Sequence, residues 1–125
     1  MSALVDTSIL VDYLRGSEEA AGLLERERTV AALHASEVTR LEVLAGMRPT
    51  EESATRSLLE SLVWHPVDSD VAETAGELGR TWLPSHRGID AADLAIAATA
   101  RLADLRLLTR NVRHFTMFSD LRRPY

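Results

Sequence analysis

The chain has 125 residues, which fits one domain (1–125) with no room for a second, and its 46% apolar content suffices for a real core at that size. It has no cysteine, which excludes disulfides and thiolate metal sites and suits a reducing compartment. The net charge is −5 and all 14 basic residues are arginine, so surplus positive charge cannot drive nucleic-acid binding and any chemistry that requires lysine is excluded.

Strand and helix signals alternate from the start. Ala3-Leu4-Val5 is a short apolar strand ending at Asp6. Thr7 or Ser8 then caps a helix through about Arg15, with Gly16 just past its end. The polar stretch Ser17 to Arg28 keeps Ala20, Leu23 and Leu24 at helical spacing, which predicts a second helix. Val30-Ala31-Ala32-Leu33 reads as a second strand. Ser36 caps a helix that runs to Ala45 and stops at Gly46. Thr50 opens another, with Ala54, Leu58 and Leu62 on one stripe.

Val63-Trp64-His65-Pro66-Val67 is a short extended piece whose proline places it at a sheet edge or a strand end. Asp68 or Ser69 caps a helix carrying Val71, Ala75, Leu78 and Trp82. After a loop over 84–88, the segment from Ile89 to Ala100 is apolar nearly all round, which predicts a buried helix whose alanines allow close approach. Leu105 to Thr109 is the last clear strand, and the tail from Asn111 is irregular. No transmembrane stretch is present, and the N-terminus lacks a basic region before a long apolar run, so the expected location is cytoplasmic, away from membranes.

This alternation predicts an α/β fold, a three-layer α/β/α sandwich with a mainly parallel central sheet. Functional residues in such sheets gather beyond the carboxyl ends of the strands. Asp6 is at the end of the first strand and Asn111 just past the last, while Glu42 and Asp93 lie on helices that follow loops. The four are expected to converge on one edge.

Each acid also has a simpler explanation. Asp6 can cap the helix that follows it. Glu42 sits beside an apolar face, where it is costly to bury unless a positive group such as Arg15 or Arg48 meets it. Asp90 suits the first turn of a helix dipole, whereas Asp93, beside a strongly apolar run, is harder to explain so cheaply. As a set the acids would repel and raise one another's pKa, and a divalent cation resolves that conflict. Oxygen ligands without cysteine or paired histidine favour Mg²⁺ or Mn²⁺ over Zn²⁺. Such a cation also answers the charge objection, since the acids hold the metal and the metal holds a phosphate. His34, His65, His86 and His114 are scattered and read as ordinary surface or interface residues, with His114 closest to the expected site.

Four stretches occur in order: Leu4-Val5-Asp6-Thr7-Ser8, then Ser36 through Gly46, then Asp93 through Ala100, then Leu108 through Phe115. Together they resemble the PIN-domain ribonucleases, in particular the VapC toxins of bacterial toxin–antitoxin pairs, over almost the whole chain. The resemblance implies a PIN-like fold and Mg²⁺- or Mn²⁺-dependent hydrolysis of RNA by an activated water. It makes Asp6, Glu42 and Asp93 the catalytic and metal-binding acids, with Asp90 as a possible further ligand. Thr7, Ser8, Thr109 and Asn111 are supporting residues, and Asn111 stands where many members carry a fourth acid. The family also implies a homodimer and a cognate VapB-like antitoxin. Arg15, Arg48, Arg87, Arg110 and Arg113 are candidates for contact with RNA.

Receiver domains and haloacid-dehalogenase-type phosphatases also place an aspartate after the first strand, but both use a lysine that is absent here. A structure-specific DNA nuclease of related fold usually needs a longer chain. The remaining alternative is a PIN-fold module that binds RNA or a partner without cutting.

Overall fold

A computed structural model describes residues 2–125. Four parallel strands form its sheet in the order β3-β2-β1-β4: β1 is Ala3–Val5, β2 Leu33–Ser36, β3 Val63–His65 and β4 Arg106–Leu108. Helices α1 (Thr7–Leu14), α2 (Glu18–Val30), α3 (Glu37–Ala45), α4 (Glu52–Glu60), α5 (Ser69–Trp82) and α6 (Ala91–Leu102) connect them.

The sheet sorts the helices into two layers through the two-residue period of its strands. Ala3 and Val5 of β1 join Leu33 and Ala35 of β2 in a cluster with residues of α1 to α4. Leu4 and Leu107 point the other way, into a cluster with α5, α6, Phe115 and Met117. The expected three-layer sandwich is present, and its sheet is wholly parallel. Helix α6 is buried continuously from Asp93 to Ala100, as its composition predicts. A Cβ built at Gly79 of α5 would sit 3.2 Å from Leu94 Cδ1, so a side chain there would crowd the contact with α6.

Several boundaries differ from expectation. The first helix is capped by Asp6, whose carboxylate accepts from the Thr7 amide, not by Thr7 or Ser8. Gly16, at φ +90°, makes the left-handed turn that ends this first excursion and that glycine tolerates without strain. The second strand does not begin at Val30. Helix α2 continues through that residue because Val30 and Ala32 are exposed, and pairing starts only where Leu33 and Ala35 can turn inward.

The fourth helix begins after a 3₁₀ turn at Pro49–Glu51 and buries Thr55 and Leu59, leaving Ala54 outside. Beyond Asn111 a 3₁₀ helix spans Val112–Phe115, held by the fully buried Phe115, and the expected irregular tail begins only after it. The extended piece at Val63–His65 is indeed an edge strand. Among the described residues no helix is long and apolar enough to cross a membrane.

The chain passes from β1 to β2 to β3 along one side of the sheet, then crosses to β4 on the other side of β1. That reversal puts a crevice beyond the carboxyl ends of β1 and β4, where open α/β sheets place their ligands.

Candidate active site

A cleft of about 950 Å³ opens at this crevice. Asp6, Glu42, Asp90, Asp93 and Asn111 all line it, so the acids expected to converge do so. They arrive from the end of β1, from α3, from the start of α6 and from the loop after β4.

Each carboxylate is held by neighbours. Asp6 is buried, and its Oδ1 accepts from the Thr7 amide at 2.8 Å. Its Oδ2 accepts from Ser8 Oγ at 3.0 Å and from Thr109 Oγ1 at 2.6 Å. Thr7 Oγ1 donates to Glu42 Oε1 at 2.7 Å and lies 3.0 Å from Thr39 Oγ1. Glu42 is therefore met by a hydroxyl. Arg15 pairs with Glu51 instead.

Asp90 and Asp93 form a reciprocal cap: Asp93 N donates to Asp90 Oδ1 at 2.8 Å, and Asp90 N to Asp93 Oδ2 at 3.1 Å. His114 Nδ1 stands 3.2 Å from Asp93 Oδ2. Burial, opposed by the Asp90 amide and His114 and reinforced by the charges of Asp90 and Asp6, pushes the Asp93 carboxyl up to about 6. The mutual repulsion inferred from sequence is thus present at this residue.

Among the described residues, no three carboxylate or imidazole groups stand close enough to form a ready-made metal cage. Glu42 Oε2 and Asp93 Oδ1 nevertheless accept no protein hydrogen bond among those residues. An open set of oxygen donors suits a cation that keeps much of its own water, as Mg²⁺ does.

The arginines divide. Arg110 and Arg113 line the cleft, whereas Arg15, Arg48 and Arg87 do not. Arg123, Asp12 and Val11 also line it, and sequence reasoning named none of them. Asp12 had a signal, standing four residues after Ser8 on the same helical face. Thr39 had a similar one, three residues before Glu42. Arg123 had none, because it lies in a tail without periodicity. The histidines are not all scattered: His34 Nδ1 and His65 Nε2 are 2.8 Å apart across β2 and β3.

A family profile described as PIN domain matches residues 3–121. The chain is 49% identical to "Ribonuclease VapC19" of Mycobacterium tuberculosis, over 98% of both chains. It is 38% identical to "Ribonuclease VapC10" of the same organism, over 98% of this chain and 92% of the other. Among solved structures, a toxin–antitoxin complex from Klebsiella pneumoniae holds a chain that superposes with a TM-score of 0.84, at 31% identity over 98% of each.

Proposed function

The chain belongs to the PIN-domain family, among its VapC members, and from that premise we propose that it is a metal-dependent endoribonuclease, the toxin of a VapBC-type pair. The observation that carries this reading is the meeting of Asp6, Glu42 and Asp93 in one cleft from three separate elements. Both relatives are named as ribonucleases, which supports it.

In this proposal Asp6, Glu42 and Asp93 hold Mg²⁺ or Mn²⁺, with Asp90 or Asn111 as a further oxygen donor. When bound, the cation neutralises charge on the scissile phosphate and makes water a stronger nucleophile at neutral pH. The chain's own part is to hold each of the three carboxylates at the wall of one cleft. Ser8 and Thr109 orient Asp6, Thr7 orients Glu42, and the Asp90 amide with His114 orients Asp93. Carboxylates held in this way lose less freedom when they take up a ligand. Arg110 and Arg113 supply positive charge for the RNA backbone.

The partners proposed are RNA, a second copy of the chain, and a VapB-like antitoxin that blocks the cleft; the matched Klebsiella structure, a toxin–antitoxin complex, supports the last. A PIN-fold module that binds without cutting is the second reading, favoured by the uncharged Asn111 in the cleft. One assay separates them. Purified protein with Mn²⁺ is expected to cleave RNA, and Asp6→Asn or Glu42→Gln to abolish cleavage while circular dichroism stays unchanged. RNA binding without cleavage by the unaltered protein would leave the second reading standing.

A further inference from the structure

The last seven residues, 119–125, carry no regular helix or strand, yet they return to the cleft. Tyr125 is half-buried and packs against the cluster beneath α1 and α2. Its hydroxyl donates to Asp12 Oδ2 at 2.7 Å, and Arg110 Nη1 donates to the same oxygen at 2.9 Å. The Arg110 guanidinium carbon lies 4.9 Å from the centre of the Tyr125 ring. Three residues from α1, the loop after β4 and the tail thus close a triangle at the cleft wall.

The triangle does two things. It holds Arg110 between a carboxylate and a ring, which removes most of the rotamer freedom an arginine otherwise loses on binding a ligand. Partial burial opposes ionisation of Asp12, but the Tyr125 hydroxyl and Arg110 hold its carboxyl below the usual range, so the anchor stays charged. It also pins the tail, so that Arg123, two residues before Tyr125, lines the same cleft as Arg110. Arg123 has no hydrogen bond or ion pair among the described residues, and the cleft it lines holds five carboxylates together with Arg110, Arg113 and His114. A guanidinium left without a carboxylate partner there is available for a bidentate contact to phosphate.

We propose that Tyr125 is a positioning residue which presents Arg110 and Arg123 as a phosphate-gripping arm for the RNA strand beside the scissile bond. This rests on the ribonuclease reading above. The arm sets how tightly RNA is held and leaves the hydrolytic step to the carboxylates.

The test uses a fluorogenic single-stranded RNA with Mn²⁺ for kcat and KM, and fluorescence anisotropy with the same RNA for the salt dependence of binding. Arg123→Ala is expected to raise KM several-fold with far less change in kcat. It should also flatten the plot of log affinity against log salt by roughly 0.7, the loss of about one phosphate contact to a single strand. Tyr125→Phe, which keeps the ring but loses the link to Asp12, should move both quantities the same way, and less when Arg123 is already alanine. A merely structural tyrosine would lower the melting temperature and leave the salt slope alone. If the unaltered protein cleaves RNA while both variants keep its KM and salt slope, the arm is wrong and the ribonuclease reading stands. If the unaltered protein cleaves no RNA, both fall together.

Discussion

Thr109 Oγ1 donates a 2.6 Å hydrogen bond to Asp6 Oδ2, tying the carboxyl ends of neighbouring parallel strands β4 and β1 at the floor of the cleft. Thr109 is fully buried and Asp6 almost so, and this is the shortest and most buried of the three bonds that set the direction of the first acid. Thr109→Val keeps the shape and removes the donor. It should cost about 1–3 kcal/mol, as for a buried charged acceptor deprived of a partner. Urea unfolding reads the loss, and Thr109→Ser should recover most of it. An unchanged midpoint in the valine variant would mean the bond contributes nothing.

Asp93 bears a charge that its surroundings disfavour, chiefly through burial and then through Asp90 and Asp6. Asp93→Asn should therefore raise the melting temperature of metal-free protein at pH 8, since the amide oxygen can still accept from the Asp90 backbone. The same variant should lose both RNA cleavage and stabilisation by Mn²⁺, which at a hundred times Kd is worth about 2.7 kcal/mol. Greater stability with lost activity marks a residue kept for function. Differential scanning fluorimetry with and without Mn²⁺ decides the matter, and equal stabilisation of both proteins by the metal would remove Asp93 from the ligand set.

The pH dependence of metal binding follows from the same carboxyl. Its pKa in the metal-free fold, about 6, lies above the ordinary 3.8, so between those values the fold holds a proton that the unfolded chain has released. Asp93's contribution to metal-free stability thus grows as pH falls through 6. A metal must displace that proton, so Mn²⁺ affinity should fall as pH drops below 6, by up to about tenfold per unit for one proton. Titration calorimetry at pH 5.0, 6.0 and 7.5 tests this, and affinity flat across that range would contradict it.

His34 works in the opposite direction. Burial, followed by the nearby His65, lowers its pKa from 6.5, so the fold sheds a proton that the unfolded chain keeps. Its contribution to stability is present above pH 6.5 and is lost as pH falls below that value. The difference in urea midpoint between pH 7.5 and 5.5 should shrink in His34→Asn relative to the parent. The Asp93 effect is common to both proteins and cancels in the comparison. A variant as sensitive to acid as the parent would show that the pair is not the source.

Much of this fold is local and therefore legible in residue order. Ser36 before Glu37–Ala45 and Gly46 after it bracket α3 by capping chemistry alone, and α6 announces its burial through its alanines. Misplacements arose where propensity and burial disagree. Val30 favours a strand, but with no core to face it ends a helix. Phe115 orders a tail that lacks any period, and only its neighbours in the α5/α6 cluster reveal why.

The acids divide in the same way. Asp6, Glu42 and Asp93 could be singled out in order because each sits in a short stretch whose pattern is local, and the parallel sheet gave them one edge on which to meet. Sequence alone could not say which partner orients each of them. Thr7 for Glu42, Thr109 for Asp6 and Tyr125 for Arg110 are joined across 35, 103 and 15 positions respectively. Nor could it separate Arg110, Arg113 and Arg123 from the eleven other arginines. An arginine reads the same wherever it stands in a chain. Only the tertiary arrangement decides whether its charge faces a cleft, pairs with a glutamate or points into water, because Coulomb interactions depend on distance in space and not on distance in sequence.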